Sequence, residues 1–301
     1  MKLFAFGLGY SAQHFIAHFG SGFTNIAGTV RSAAKAEALL HGGIEAFVLA
    51  PDHADPAIVD KVAEADVLLI TIPPGVSVDP VLERYGRTIL RAARNQIIVY
   101  LSTIGVYGDR QGGWVDESTV PVPATVRSWT RLQAERSWRA IGSEPGKKCH
   151  ILRLAGIYGP SRNALVNLRS GTARRVVKKD QVFNRVHVED IGRAIAGSIA
   201  HLGRGRDWNV ADDAPAPPQD VVTYAALLMG IAPPPVQDLA DADLSPLARS
   251  FYAENKRASN RLLKETLGVK LAFPTYRVGL DALWQAGEGR TEAEASAGVA
   301  G

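Results

Sequence analysis

Residues 2–31 restrict the fold more than any other stretch of the chain. Leu3-Phe4-Ala5-Phe6 is an apolar run with the length and composition of a buried parallel strand. Gly7-Leu8-Gly9-Tyr10-Ser11-Ala12 follows without a linker. An amphipathic stretch then carries Phe15, Ile16 and Phe19 on one side, and a short apolar run from Ile26 to Val30 ends at Arg31. Strand, glycine turn, helix and strand form the βαβ unit in which Gly-x-Gly-x-x-Ala binds a dinucleotide. Gly7 permits the tight turn. Gly9 lets main chain approach a pyrophosphate with no Cβ between them, and Ala12 keeps the helix close to the strand. The first-turn N–H groups then face the phosphates. The expected cofactor contacts in this loop are Gly7, Leu8, Gly9, Tyr10, Ser11 and Ala12. A glycine turn that only packs a helix onto a sheet has the same letters, but the position between a strand and a helix favours the ligand.

The alternation continues. Ser32 to His41 reads as a helix stopped by Gly42-Gly43, Ile44 to Leu49 as a strand, and Pro56 to Ala63 as a short helix. Val67 to Ile72 is a strand closed by Pro73-Pro74-Gly75, Pro80 to Arg94 an amphipathic helix, and Ile97 to Leu101 a fifth strand. Strands alternating with helices predict an α/β fold, a Rossmann-type doubly wound parallel sheet. Right-handed crossovers bring the C-terminal ends of all its strands to one edge, where ligands bind. Beyond the fingerprint, that places Arg31, Leu49, Thr71, Pro73, Ser102 and Thr103 together.

The end of the second strand distinguishes the nicotinamide cofactors. A carboxylate there would bind the ribose 2′-OH of NAD. Thr29-Val30-Arg31-Ser32 offers a planar cation suited to a phosphate and a hydroxyl beside it. Arg31 and Ser32 therefore predict NADP in preference to NAD, although Arg31 could equally be a solvated residue opening the next helix.

With 46% hydrophobic and 21% charged residues, the chain of 301 residues has enough apolar material for a sizeable core. A net charge of +4 without long Lys or Arg runs argues against a nucleic-acid partner. Cys149 is the only cysteine, so no internal disulfide or cysteine metal site is expected, which is compatible with a reducing cytoplasm. Leu3 to Phe6 is too short for a signal peptide or a membrane span, and no membrane partner is expected.

Leu101-Ser102-Thr103-Ile104-Gly105-Val106-Tyr107-Gly108-Asp109 resembles the Ser-Ser/Thr-x-x-Val-Tyr-Gly segment of the extended short-chain dehydrogenases/reductases, which include nucleotide-sugar epimerases and dehydratases. Trp114 to Glu117, Leu152 to Pro160 and Arg185 to Ile191 resemble further segments of the same family in the same order. The resemblance runs from about residue 2 to 285 and is nearest the atypical, YeeZ-like members. It implies a cofactor-binding core over residues 1–155. Residues 156–285 would complete that core and form a smaller substrate-binding region, and residues 286–301 read as a disordered tail. It also implies cofactor contacts from Ala155, Gly156 and Ile157, a role for Thr103 in orienting a substrate oxygen, and a homodimer paired through the helices near 80–94 and 126–141.

The resemblance fails at the catalytic pair. Where active members carry Tyr-x-x-x-Lys, this chain has Arg127-Ser128-Trp129-Thr130-Arg131. The spacing still places both arginines on one helix face. Arginine stays protonated and cannot pass a proton, so Arg127 would hold a substrate anion or stabilise an oxyanion, and Arg131 would bind the nicotinamide ribose. Tyr107 and Tyr158 are the candidates for a substitute acid, although turn packing would account for either. Two classes stay open: an oxidoreductase or epimerase/dehydratase acting on a nucleotide-sugar-like or other anionic small molecule, and an NADP(H)-binding regulator without catalysis. Tyr158, Arg162 and Arg185, with Arg127, are the expected substrate contacts. His187 reads as a structural histidine bonded to backbone, and Asp190 or Glu189 as the cap of the helix that follows. No metal site is expected: His14 and His18 share a helix face, but Phe15 stands where a zinc hydrolase needs its Glu.

Overall fold

The computed structural model describes residues 1–75, 78–93 and 95–290. Seven strands form one parallel sheet: β1 (Lys2–Phe6), β2 (Asn25–Val30), β3 (Glu45–Val48), β4 (Val67–Ile70), β5 (Gln96–Thr103), β6 (Lys147–Leu154) and β7 (Asp207–Val210). Their order across the sheet is β7-β6-β5-β4-β1-β2-β3, with every neighbouring pair parallel. The chain winds outward from β1 to β3 and restarts at β4 on the other side of β1. The crevice at the carboxyl ends of β1 and β4 is therefore the switch point of a doubly wound sheet.

Alternation along each strand makes two cores. Leu3 and Ala5 of β1, Val67 and Leu69 of β4, and Val99 and Leu101 of β5 face one side. There they meet α1 (Tyr10–Phe19), α2 (Ala33–His41) and α6 (Val188–Ala200). Phe4, Phe6, Leu68, Ile70, Ile98 and Tyr100 face the other side. They pack on α3 (Ile58–Glu64), α4 (Pro80–Arg91) and α5 (Val126–Gly142) through Val62, Ile89 and Trp138. Covered on both faces, the central strands have to be apolar at successive positions, as their sequences are. Each fully buried side chain of Leu or Phe size contributes about 1.5–3 kcal/mol.

A smaller helical cluster sits beyond the carboxyl edge. Tyr158, Leu165, Val221, Tyr276 and Leu280 form its core, drawn from helices Ala164–Arg169, Pro218–Leu228 and Tyr276–Gln285. A two-stranded parallel ladder of Gly156–Tyr158 with Arg185–His187 joins it to the sheet.

Local differences from the sequence reading have physical causes. His187, not Glu189 or Asp190, caps α6: its Nδ1 accepts from the Glu189 N–H at 3.3 Å. Asp190 is spent elsewhere, accepting from the Ala272 and Phe273 N–H groups at 2.7 and 3.0 Å. A short helix runs over Arg261–Glu265, and just before it Arg257–Ala258 forms a ladder with Trp114–Val115. The helix from Pro80 ends at Arg91, and Arg94 lies outside the described residues. Residues 286–290, expected in a disordered tail, fold back onto the body. Glu288 accepts from the Ser161 N–H and Asn163 Nδ2, each at 3.0 Å, and Arg169 Nε donates to Gly289 O at 2.7 Å. The rest of that tail, 291–301, lies outside the described residues. No helix among the described residues is long and apolar enough to cross a membrane.

Candidate cofactor and substrate site

The fingerprint loop is held by two threonines. Gly7 has φ +96°, and a Cβ there would lie 2.6 Å from Thr71 Oγ1. Thr71 Oγ1 donates to Gly7 O at 2.6 Å, and Thr29 Oγ1 accepts from the Gly7 N–H at 2.9 Å. Thr71, expected as a cofactor contact, thus serves as an anchor of the loop. Thr29 does the same from β2, a role no local pattern announces. A Cβ added at Gly9 would meet no protein atom within 4 Å, and α1 starts there with no side-chain cap. Its first-turn N–H groups lack intrahelical partners by construction. Leu8 is buried, with its N–H given to Thr29 O at 2.8 Å, and Ala12 is buried under the helix. Tyr10 leans outward: its hydroxyl donates to Pro160 O at 2.9 Å, and the Arg162 guanidinium lies 5.9 Å from its ring centre.

At the end of β2, Arg31 and Ser32 are exposed; Ser32 takes the N-cap position of α2 with no side-chain hydrogen bond. Arg31 makes no ion pair or side-chain hydrogen bond among the described residues. Leu49 sits in a turn that Arg84 of α4 steadies, donating to Ala50 O at 2.9 Å and Pro51 O at 2.6 Å. Pro73 is exposed beside the β4 end.

At the end of β5 most polar groups are committed. Ser102 Oγ donates to Glu135 Oε1 at 2.6 Å, so this expected cofactor contact faces the interior. Glu135 also pairs with Arg153 and Arg139, at 2.8 and 2.7 Å, and Asp207 pairs with both of those arginines. Tyr107, expected as a substitute acid, is fully buried. Its hydroxyl donates to Asn209 Oδ1 at 2.8 Å and accepts from Arg153 at 2.9 Å. Burial pushes that hydroxyl up to about 12, with the Arg153 cation a partial offset. Thr103 is half-buried, and its Oγ1 accepts from the Gly105 N–H at 3.1 Å, capping the turn Ile104–Tyr107.

Beyond β6 lies a cleft of about 300 Å³. Tyr158, Arg162 and Arg185, expected as substrate contacts, line it together with Ile157, expected as a cofactor contact, and with Asn163 and Tyr276. Tyr276 comes from the last helix, where its aromatic letter carries no local sign of a pocket. Ala155 and Gly156 give their N–H groups to Val210 O and Asn184 O, both at 3.0 Å. Burial, then Asp212 and Asp190, hold the Tyr158 hydroxyl well above its usual value. Asp212 is buried as well. Its Oδ1 accepts from the Ala214 N–H at 3.1 Å, Oδ2 is unpartnered among the described residues, and burial pushes the carboxyl up to about 7.

Residues 83–211 match the model of the NAD dependent epimerase/dehydratase family. A conserved protein of unknown function from Silicibacter pomeroyi DSS is 44% identical, with TM-score 0.84 over 95% of this chain and 99% of its own. The middle of the chain is thus similar to the NAD dependent epimerase/dehydratase family. YeeZ of Escherichia coli (strain K12) is 28% identical over 251 residues, 80% of this chain and 88% of YeeZ. The UDP-glucuronic acid 4-epimerase of Bacillus cereus, solved with UDP-glucuronic acid and NAD, shares the fold, with TM-score 0.73 and 16% identity over 95% of this chain and 98% of its own.

On α5 the two arginines of the expected pair take different partners. Arg131 turns inward and donates to Tyr100 Oη and Leu101 O, at 3.0 and 2.9 Å, tying α5 to β5. Arg127, one turn earlier, is exposed, with its guanidinium 5.2 Å from the Phe251 ring centre, and it does not line the cleft beyond β6. The four-residue spacing puts the two arginines on one side of α5, but their head groups go to different neighbours.

Proposed function

We propose that the protein binds NADP(H) along the carboxyl edge of its sheet and an anionic small molecule in the Arg162/Arg185 cleft. The reaction is an oxidoreductase or epimerase/dehydratase step on a nucleotide-sugar-like compound. One observation carries this reading: at the switch point, α1 starts without a side-chain cap, and a Cβ added at Gly9 would meet no protein atom within 4 Å. A pyrophosphate supplies the acceptors that this main chain leaves unmatched. Gly7 to Ala12 and the Thr71–Pro73 turn would enclose it, and the exposed pair Arg31 and Ser32 would receive the 2′-phosphate. When bound, the nicotinamide supplies hydride chemistry. The chain's own part is to orient it between the Tyr10 side and Thr103, and to hold an anionic partner by Arg162 and Arg185 over Tyr158. The nucleotide sugar of the Bacillus cereus relative supports the substrate class.

A second reading is binding without turnover. It is favoured by α5, where Arg131 is engaged by Tyr100 and Leu101 and Arg127 stacks on Phe251, and by the burial of Tyr107. Fluorescence titration with NADPH and NADH, followed by NADPH oxidation against carbonyl compounds and nucleotide sugars, separates the readings. Turnover on any of them supports the enzyme, and tight binding with none supports the regulator. Binding of neither nucleotide overturns both. In Arg31→Ala, NADPH affinity should fall about tenfold, the loss of one charge-assisted phosphate contact of about 1.4 kcal/mol, while NADH affinity holds.

A further inference from the structure

We propose that His14, His18 and Glu189 form a binding site for a divalent transition-metal ion, clipping α1 to α6 on the face of the sheet away from α5. The two histidines lie one turn apart on α1, and Glu189 opens α6. One donor atom from each lies within 4.8 Å of the other two, and among the described residues no other trio of His, Cys, Asp or Glu gathers this way.

The side chains are arranged as ligands rather than as a solvated pair. His18 Nδ1 lies 2.9 Å from His14 O. A carbonyl only accepts, so Nδ1 carries the proton and Nε2 presents its lone pair. This is the tautomer that a backbone hydrogen bond fixes in metal-binding histidines. His14 Nε2 is buried and has no hydrogen-bond partner among the described residues. The two rings stack with centres 4.2 Å apart. Glu189 is steadied from behind: Arg193 Nη2 donates to its Oε1 at 2.7 Å, leaving the second oxygen for an ion.

The scaffold is stiff enough to hold such a trio. The two helices pack closely where Gly192 meets the Phe19 ring; a Cβ at 192 would come 2.7 Å from Phe19 Cε2. The donors therefore stand on two packed helices and not on loops. Two imidazoles and one carboxylate favour zinc, nickel or cobalt over magnesium or calcium, which need more oxygen ligands. A water would fill the fourth position. Phe15 stands between the histidines in sequence where a zinc hydrolase needs its Glu, so α1 itself supplies no general base to that water. This site is independent of any nucleotide reading.

Isothermal titration of the full chain, stripped with EDTA and dialysed, tests it with ZnCl₂, NiCl₂ and MgCl₂. One zinc or nickel per chain is expected, with a rise in Tm and no magnesium uptake. His18 is exposed, so His18→Ala should fold normally. It should lose at least the factor of about 10–100 in affinity that removing a supporting group costs a metal site. Glu189→Gln should weaken zinc in the same direction, and His53→Ala should leave it unchanged. Absence of zinc binding, or equal binding by His18→Ala and the parent protein, overturns the site.

Discussion

Asp212 shows how far one buried carboxyl can bend the stability of the chain. It stands 2% exposed just after β7, with Arg185 the cation acting on it and Asp213 and Asp190 opposing. Burial lifts it from 3.8 to about 7. A raised carboxyl favours the folded state fully below its unfolded value, and that advantage disappears as pH climbs from about 4 through 7. Asp212→Asn keeps the acceptor for Ala214 and removes the charge. It should therefore stabilise the protein at pH 8 relative to parent by on the order of 2 kcal/mol more than at pH 5. Urea denaturation at the two pH values measures it, and a gain independent of pH would show that Asp212 is ionised in the folded state. Its protonation also sets the charge beside Arg185, so anion affinity in the cleft should weaken as pH rises through about 7, where the folded carboxyl ionises. Nothing in the letters Asp212-Asp213 announced this, because the shift arises from what covers the residue.

At the scale of elements, the turn between β1 and α1 was legible because its constraints are local. Gly7 needs a left-handed backbone, Gly9 needs no side chain, and both requirements are written in adjacent letters. Gly7→Ala adds a Cβ that would lie 2.6 Å from Thr71 Oγ1 at φ +96°. It should cost about 1–3 kcal/mol and loosen nucleotide binding. Thermal melts and NADPH titration check the two effects together, and a variant with parental Tm would mean that the turn relaxes. The strand and helix alternation was legible for the same reason, and the observed β1, β2 and β4 start at, or within one residue of, the positions read from the sequence. The β5 end was not. Ser102 and Tyr107 look like site residues by position. Their partners are Glu135 and Asn209, 33 and 102 residues from the serine and the tyrosine. Only the folded chain shows that this polar group closes on itself. Removing one member would strand a buried charge, at a cost of about 3–5 kcal/mol, so the cluster secures β5, β6, β7 and α5 to one another.

For the whole molecule, the outer face of α5 carries Val126 at 72% and Trp129 at 48% exposure, and α4 carries Leu90 at 47%. The family resemblance implies pairing through these helices, and we expect a homodimer there. Trp129→Glu should shift the mass found by light scattering from two chains to one while leaving the far-ultraviolet spectrum unchanged. A parent protein that runs as one chain at micromolar concentration would refute the pairing. The Glu288 clasp reaches further. Its carboxylate holds Ser161 and Asn163, which lie beside Pro160, the acceptor for the Tyr10 hydroxyl. The threshold of the cleft is thus latched by residues more than a hundred positions downstream, and the turn between β1 and α1 leans on the same latch through Tyr10. Shortening the chain to Ala286 would spare every strand and every flanking helix. Such a trimmed protein should melt almost where the parent does yet release its anionic guest sooner, so the last turn works as a doorstop rather than as a wall.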